Sequence, residues 1–114
     1  MLTPSHYLPL SEPTFYILLS LGSDEKHGYA ILKDVDDLSN GQTRLSTSTL
    51  YEALSRLLEQ GLIERVESSH DNDSRRPRKA YRLTRLGRQV LGSETSRMQR
   101  LVEQAHLRLV REQP

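Results

Sequence analysis

The first hydrophobic block of the chain is short and lies near its start. Residues Phe15–Leu21 are almost wholly apolar, follow an N-cap candidate at Ser11 and end at Gly22. This pattern predicts a short buried helix. Residues 1–10 show no hydrophobic periodicity and contain two prolines, so we expect them to form an N-terminal arm.

Apolar residues three or four positions apart predict a second and a third helix. The second can be capped by Ser23 or Asp24 and ends at the Asn-Gly pair of residues 40–41. The third runs from an N-cap at Ser46 to Gly61, which readily takes the left-handed conformation at a helix end. Its apolar stripe consists of Leu50, Ala53, Leu54, Leu57 and Leu58.

The period of the pattern changes from helical to alternating after the third helix. Leu62–Glu67 and Arg78–Leu83 each alternate between two faces, and residues 68–77 between them are polar. Two alternating segments joined by a polar loop predict a β-hairpin.

A last helix is predicted from about residue 85 to about residue 112, with Thr84 as its cap. Its apolar residues recur at a spacing similar to that of a coiled coil, with an interruption at Glu94 and Thr95. We expect this seam to join two copies of the chain, together with the first helix. The predicted dimerisation residues are Phe15, Leu91, Met98, Leu101, Val102, Ala105 and Leu109.

The order of the elements is helix, helix, helix, strand, polar loop, strand, which is the order of a winged helix-turn-helix domain. The predicted fold class is therefore mainly α with a small β-hairpin, a winged helix-turn-helix domain followed by a long C-terminal dimerisation helix. The predicted boundaries are residues 1–10 for the arm, 11–83 for the winged helix-turn-helix domain and 84–114 for the dimerisation helix.

Composition narrows the classes of protein to which this chain can belong. Its 114 residues suffice for one compact domain, and a hydrophobic content of 35% without tryptophan argues against a large enclosed enzyme core. The chain has no cysteine, which excludes disulfides and thiolate metal sites. It has neither an apolar run long enough to span a membrane nor the pattern of a signal peptide. We therefore expect a cytoplasmic protein without a membrane partner.

Charge is distributed unevenly along the chain. The net charge is only +1, yet residues 1–43 hold two lysines against six acidic residues. Residues 75–88 hold seven basic residues and no acidic one. Such asymmetry points to a polyanionic partner, although a solvated basic surface would give the same composition.

The third helix opens with four small hydroxyl residues and then presents a tyrosine outward. A helix start carries free N–H groups and a partial positive charge, which suit phosphate. Small side chains there also allow a helix to enter the DNA major groove by its N-terminus. Helix capping alone explains Ser46 but not the residues after it. The predicted recognition-helix contacts are Thr47, Ser48, Thr49, Tyr51, Glu52, Ser55 and Arg56.

The basic cluster falls on the predicted hairpin, which would be the wing. Arginines near a wing tip can reach phosphates or the minor groove, and ordinary solubility is the alternative explanation. The predicted wing contacts are Arg75, Arg76, Arg78, Lys79 and Arg82.

Enzymatic and metal-binding motifs are missing from the sequence. It has no phosphate loop, no nucleophile elbow and no zinc-hydrolase motif. His70, Asp71 and Asp73 lack the glycine and distal glutamate of a calcium loop and are expected to be solvated turn residues. We therefore predict that the protein is not an enzyme and that it uses no metal or cofactor.

Three blocks of sequence resemble the PadR family of bacterial transcriptional regulators. They are HGYAILKDV at residues 27–35, STSTLYEALSRLLEQGLIE at residues 46–64 and RRPRKAYRLTRLGRQVL at residues 75–91. Their order and spacing are similar to those of the family, and the long last helix resembles that of its short-tailed branch. The resemblance implies a homodimer that binds an inverted-repeat operator and usually represses.

The resemblance also implies roles for individual residues. Ser48, Thr49 and Tyr51 would lie on the recognition helix, and Arg78 and Lys79 on the wing strand. Two features depart from the family pattern. The first of two tyrosines that often adjoin in the second strand is replaced by Ala80, and the wing lacks the glycine often found near its tip.

The predicted function is that of a sequence-specific regulator of transcription that binds double-stranded DNA as a homodimeric repressor. Two alternatives stay open. One is a winged-helix adaptor that docks an acidic protein partner. The other is a repressor gated by a small-molecule effector in the dimer cavity, which Tyr7 and Tyr16 could line.

Overall fold

A computed structural model describes residues 3–67 and 79–110, which form four α-helices and a three-stranded antiparallel sheet. The helices are α1 (Glu12–Ser20), α2 (Gly28–Leu38), α3 (Thr47–Glu59) and α4 (Arg85–Val110), and a 3₁₀ turn at Pro4–Tyr7 precedes them. The strands are β1 (Lys26–His27), β2 (Ile63–Glu67) and β3 (Lys79–Leu83). The mainly helical architecture with a small sheet and a long last helix is as predicted.

The sheet has one strand more than the predicted hairpin. Its order is β1-β3-β2, with Ile63 opposite Leu83 and Glu67 opposite Lys79 on one side of β3. On the other side, His27 of β1 lies opposite Ala80. The two predicted strands therefore pair with each other as expected, and residues 26 and 27 add a third strand on the other side of β3. A strand of two residues is too short to show a period of two in the sequence.

Helix α2 begins later than the predicted caps at Ser23 and Asp24 would place it. Asp24 instead accepts a hydrogen bond from the Lys26 ammonium group at 2.6 Å, which lowers the pKa of the Asp24 carboxyl. Lys26 also donates to the main-chain oxygen of Ser20, at 2.5 Å. The N-cap of α2 is His27, whose backbone is extended because it is still part of β1.

The turn between α2 and α3 is fixed by its own side chains and by two left-handed residues. Asn40 and Gly41 have φ values of 53° and 76°, which confirms the predicted end of the second helix. The Arg44 guanidinium binds the Asp36 carboxylate at 3.2 Å, so the far end of the turn is tied to the last turns of α2. This turn sets the position of α3 relative to α2.

The hydrophobic core lies between the helices and one face of the sheet. Helices α1, α2 and α3 each place their apolar stripe against it, and Val90 of α4 closes it. The largest fully buried side chain is Tyr81 of the central strand. The buried cluster consists of Ile17, Leu18, Leu21, Ile31, Val35, Leu50, Ala53, Leu54, Leu57, Leu62, Ile63, Tyr81, Leu83 and Val90.

Helix α4 starts at the predicted cap and continues without a break past the predicted interruption. The hydroxyl oxygen of Thr84 accepts from the N–H of Gly87 at 3.0 Å, while the same hydroxyl donates to the Gly61 carbonyl at 2.6 Å. Glu94 is only 1% exposed. Glu94 therefore interrupts the apolar seam of α4 because its side chain is buried against its own chain.

The buried carboxylate of Glu94 holds the N-terminal segment against α4. One oxygen accepts from the N–H of Leu10 at 2.7 Å, and the other binds the Arg97 guanidinium. Tyr7, Leu8 and Leu10 also pack against the core. Residues that the sequence pattern suggested as an arm therefore contact the rest of the fold.

Candidate nucleic-acid interface

Helix α3 is terminated at both ends as the sequence predicted. The hydroxyl of Ser46 accepts from the N–H of Thr49 at 3.1 Å, which makes Ser46 the N-cap. Gly61 has a φ of 73°, its N–H donates to Leu58, and the N–H of Leu62 donates to Leu57 at 3.0 Å. These two bonds satisfy carbonyls at the end of the helix.

The hydroxyl residues at the start of α3 form a small network of their own. Ser46 donates to the Thr49 hydroxyl at 2.8 Å, and its oxygen lies 3.2 Å from that of Ser48. The network links three of the side chains of the first turn, and Thr47 and Ser48 are exposed. Hydroxyls that are already oriented can donate to the phosphate oxygens of a DNA backbone with little further ordering.

The predicted recognition residues are all exposed on α3. A helix turns about 100° per residue, so they cover a broad arc opposite the stripe buried in the core. Ser48, Glu52 and Ser55 lie near the middle of this arc. Tyr51 lies toward one flank, and Arg56 and Thr49 lie toward the other. The exposed set is Thr47, Ser48, Thr49, Tyr51, Glu52, Ser55 and Arg56.

Tyr51 and Lys79 line the same surface cleft, which brings the recognition helix and the wing strand together. The cleft has a volume of about 440 Å³ and is also lined by His27, Gly28 and Tyr29 at the start of α2. Nδ1 of His27 lies 3.3 Å from the carbonyl oxygen of Lys79, where it must carry the proton to donate. One cation and two phenol groups therefore surround an open space next to α3.

Tyr29 belongs to this cleft, and the sequence pattern did not single it out. It is 79% exposed, the highest value among the large hydrophobic side chains at the surface of the described residues. An exposed aromatic ring beside a lysine indicates a binding surface. Residues 29 and 79 are far apart in the chain, so the sequence alone does not show that they are neighbours.

Arg56 is not part of the cleft that contains Tyr51. It lines a second cleft of about 410 Å³ between the end of α3 and the N-terminal segment, together with His6, Tyr7 and Thr14. The two residues are five positions apart, which separates them by about 140° around the helix axis.

The wing residues differ in what the structure shows of them. Arg82 is paired with Glu64 directly across the two strands, with 2.6 Å between Nε and the carboxylate oxygen. Lys79 is exposed at the edge of the cleft. Arg75, Arg76 and Arg78 lie outside the described residues, as do His70, Asp71 and Asp73.

Comparison with known proteins identifies the family. The sequence profile of the transcriptional regulator PadR-like family matches residues 17–93, which include α2, α3, all three strands and the start of α4. The chain belongs to the PadR-like family of transcriptional regulators. No curated protein has a sequence similar enough to count as a relative.

Solved structures of PadR-like regulators share this fold. A PadR family transcription regulator from Clostridium difficile is 24% identical with a TM-score of 0.68, over 88% of this chain and 99% of that one. A PadR-like regulator from Bacillus cereus is 20% identical with a TM-score of 0.69, over 88% and 92%. Bacillus subtilis PadR in complex with operator DNA is 24% identical with a TM-score of 0.61, over 93% of this chain and 51% of that one. These matches confirm the winged helix-turn-helix fold class.

The residues predicted to join two PadR-like chains divide into a half-buried and an exposed group. Phe15, Leu91 and Met98 are partly covered by their own chain. Leu101, Val102, Ala105 and Leu109 are exposed along the second half of α4. Leu107 and Val110 are exposed as well, at 63% and 65%, but around the helix axis Leu107 lies about 140° and Val110 about 80° from Val102.

Among the described residues there is no group of histidine, aspartate or glutamate side chains that could hold a metal ion. In the same part of the chain, none of the helices combines the length and the hydropathy needed to cross a membrane.

Proposed function

We propose that this PadR-like protein binds a specific double-stranded DNA operator as a homodimer and represses transcription. The observation that carries the proposal is the cleft shared by Tyr51 of α3 and Lys79 of β3. A helix whose outer face is exposed and a strand that carries basic residues border one continuous surface. On such a surface the helix can enter the major groove while the strand contacts the adjacent phosphate backbone.

Within this proposal the outer face of α3 reads the DNA and the wing positions it. Thr47, Ser48 and Ser55 would meet base edges or phosphates in the major groove, and Glu52 would accept from a base edge such as the amino group of a cytosine. Lys79 would neutralise a phosphate, and Arg75, Arg76 and Arg78 are proposed to do the same further along the wing. Thr49 and Arg56 would contact the backbone on the far flank of the helix. Arg82 is already paired with Glu64, so we assign it no phosphate contact of its own.

The exposed apolar residues of α4 support the proposal of a homodimer. A stripe of Leu101, Val102, Ala105 and Leu109 on an exposed helix favours burial against another apolar surface. An identical stripe on a second copy is a self-complementary partner under twofold symmetry. The domains proposed are residues 1–10 as the N-terminal segment, 11–83 for DNA and 84–114 for dimerisation.

Twofold symmetry has a consequence for the DNA. Two recognition helices related by a twofold axis would meet half-sites about 34 Å apart, one turn of the duplex, so the operator would be an inverted repeat. A protein with this role would act in the cytoplasm and would not be an enzyme.

The proposal is tested by selecting bound sequences from random double-stranded DNA. We expect enrichment of an inverted repeat, and an affinity that falls by a factor of about 10 to 1000 between 50 and 200 mM salt as phosphate contacts are lost. Tyr51→Ala should weaken binding to the selected site. If no sequence is enriched over random DNA, the protein is better explained as an adaptor for an acidic protein partner.

A small-molecule effector is a second proposal, and one feature of the structure favours it. A cleft of about 350 Å³ between α1 and α4 is lined by Leu10, Phe15, Tyr16 and Met98, and also by Glu12, Glu94 and Arg97. Aromatic and thioether side chains beside carboxylates suit an aromatic compound with a positive charge. Tyr7 lines a different cleft.

A thermal-shift screen of aromatic cations tests this second proposal. A ligand of the cleft should raise the melting temperature of the wild type and lose this effect in Phe15→Ala. A rise that persists in the variant would place the ligand elsewhere.

A further inference from the structure

Gly28 and the end of the Tyr51 side chain are in close contact at the cleft that Tyr51 shares with Lys79. A β-carbon built on Gly28 would lie 2.6 Å from the hydroxyl oxygen of Tyr51 and 3.1 Å from its Cζ. A side-chain carbon normally stays about 3.5 Å or more from atoms to which it is not bonded. The end of the Tyr51 side chain therefore occupies the space that any side chain at position 28 would need.

The backbone gives no other reason for a glycine at this position. Among the described residues the glycines with positive φ are Gly41 and Gly61, and Gly28 is not one of them. Gly28 is the first residue of α2, where alanine would favour the helix more than glycine does. What alanine would disturb is the position of Tyr51.

We propose that Gly28 is a positioning residue of the DNA interface, and this inference rests on the DNA-binding function proposed above. Because it has no side chain, Tyr51 can lie back across the start of α2, with its hydroxyl in the cleft beside Tyr29 and Lys79. A side chain at position 28 would push the ring outward. The ring would then stand in front of the outer face of α3, where the major groove has to approach.

The displaced atom belongs to the far end of a side chain that is already 45% exposed. Tyr51 can therefore swing away without opening the core. Gly28→Ala should for this reason keep the fold and the dimer intact, while DNA affinity falls by about tenfold, comparable to the loss of one hydrogen bond to a charged group.

A double-mutant cycle tests the coupling of the two residues. DNA affinity and melting temperature would be measured for wild type, Gly28→Ala, Tyr51→Ala and the double variant. With Tyr51 already removed, Gly28→Ala should change affinity by less than about twofold and should raise the melting temperature, as expected of glycine to alanine in a helix. Gly92→Ala is the matched control, because a β-carbon there would have no atom within 4 Å.

Independent losses of affinity that multiply in the double variant would overturn the proposal, as would full affinity in Gly28→Ala. The melting temperatures also decide the question without DNA, since only a contact between the two residues makes the effect of Gly28→Ala depend on Tyr51. A wild type that prefers no DNA sequence would refute the proposed function and with it the role of Gly28 in DNA binding, whereas the thermal half of the cycle would still show whether Gly28 determines the position of the Tyr51 side chain.

Discussion

Gly87 of α4 lies against the main-chain oxygen of Leu62, so closely that a β-carbon on Gly87 would be 1.9 Å from that oxygen. The same oxygen accepts a hydrogen bond from the N–H of Thr84 at 3.1 Å. A backbone atom held in this way cannot swing aside. Helix α4 reaches its place against Leu62, the residue before β2, only because residue 87 has no side chain.

Gly87→Ala should therefore destabilise the protein by about 1–3 kcal/mol or more, the range for overpacking. The free energy of unfolding would be measured in urea. The matched control is Gly92→Ala, at a position open to solvent on the same helix, where we expect a gain of about 0.5–1 kcal/mol. A similar effect of the two substitutions would contradict the close contact with Leu62.

Glu94 should make the stability of the protein depend on pH in the acid range. Its hydrogen bond with Arg97, together with the one from Leu10, lowers the pKa of the Glu94 carboxyl although burial opposes this. A carboxyl whose pKa is lower in the folded than in the unfolded protein stabilises fully above its unfolded pKa, about 4.3. This contribution is lost as the pH falls through the folded pKa.

Glu94→Gln should lower the free energy of unfolding by about 1 kcal/mol at pH 7, because glutamine can still accept the Leu10 N–H but carries no charge for Arg97. The difference from wild type should shrink as the pH falls below about 4. Urea unfolding between pH 7 and pH 3 would measure it, with Glu103→Gln on the exposed face of α4 as the control. A difference that stayed constant with pH would show that the charge of Glu94 is not responsible.

Lys79 and Arg82 lie on the same strand and should differ in their effect on DNA binding. Each alanine variant removes one positive charge. Only Lys79 lines the cleft with Tyr51, whereas Arg82 is already paired with Glu64. Lys79→Ala should reduce the slope of log K against log salt concentration by about 1, the value for one lost phosphate contact. Arg82→Ala should leave the slope unchanged, and equal slopes in the two variants would argue against this assignment.

The seam on α4 should be sensitive to charge on one side of the helix only. Val102→Asp places a carboxylate in the stripe proposed to join two chains, so sedimentation equilibrium should show a monomer. Leu107→Asp makes the same chemical change at an exposed apolar residue about 140° away around the helix, and it should leave a dimer. Monomers in both cases would place the interface on a broader surface.

Features that depend on a few neighbouring residues could be read from the sequence. The caps at Ser46, Gly61 and Thr84 were predicted correctly, since a helix end is decided by residues within one turn of it. The overall order of elements was also recovered, and three blocks of sequence indicated the family.

Features that depend on distant residues could not be read in this way. Strand β1 is held by pairing with β3, more than 50 positions later in the chain, and its two residues show no pattern alone. Glu94 interrupts an apolar seam in the sequence, and only the position of Leu10 shows why a carboxylate is buried there. The same applies to the cleft, where Tyr29 and Lys79 come together through the fold.

The recognition residues show the limit of an argument from exposure. All the predicted side chains on α3 are at the surface, but Tyr51 and Arg56 border different clefts. Helical spacing alone separates them by about 140°, so the sequence was sufficient to predict that Tyr51 and Arg56 lie on different flanks of the helix. Only the structure shows which flank of α3 faces the sheet.

The middle position of β3 has a consequence for synthesis on the ribosome. Residues 26–27 and 63–67 pair only with β3 within the described sheet, and β3 begins at residue 79. A nascent chain that has emerged as far as residue 67 therefore contains helices α1 to α3. Its strands β1 and β2 are present, but β3, with which both of them pair, has not yet emerged. The helical part of the domain can collapse early, while the sheet has to wait until β3 has left the exit tunnel.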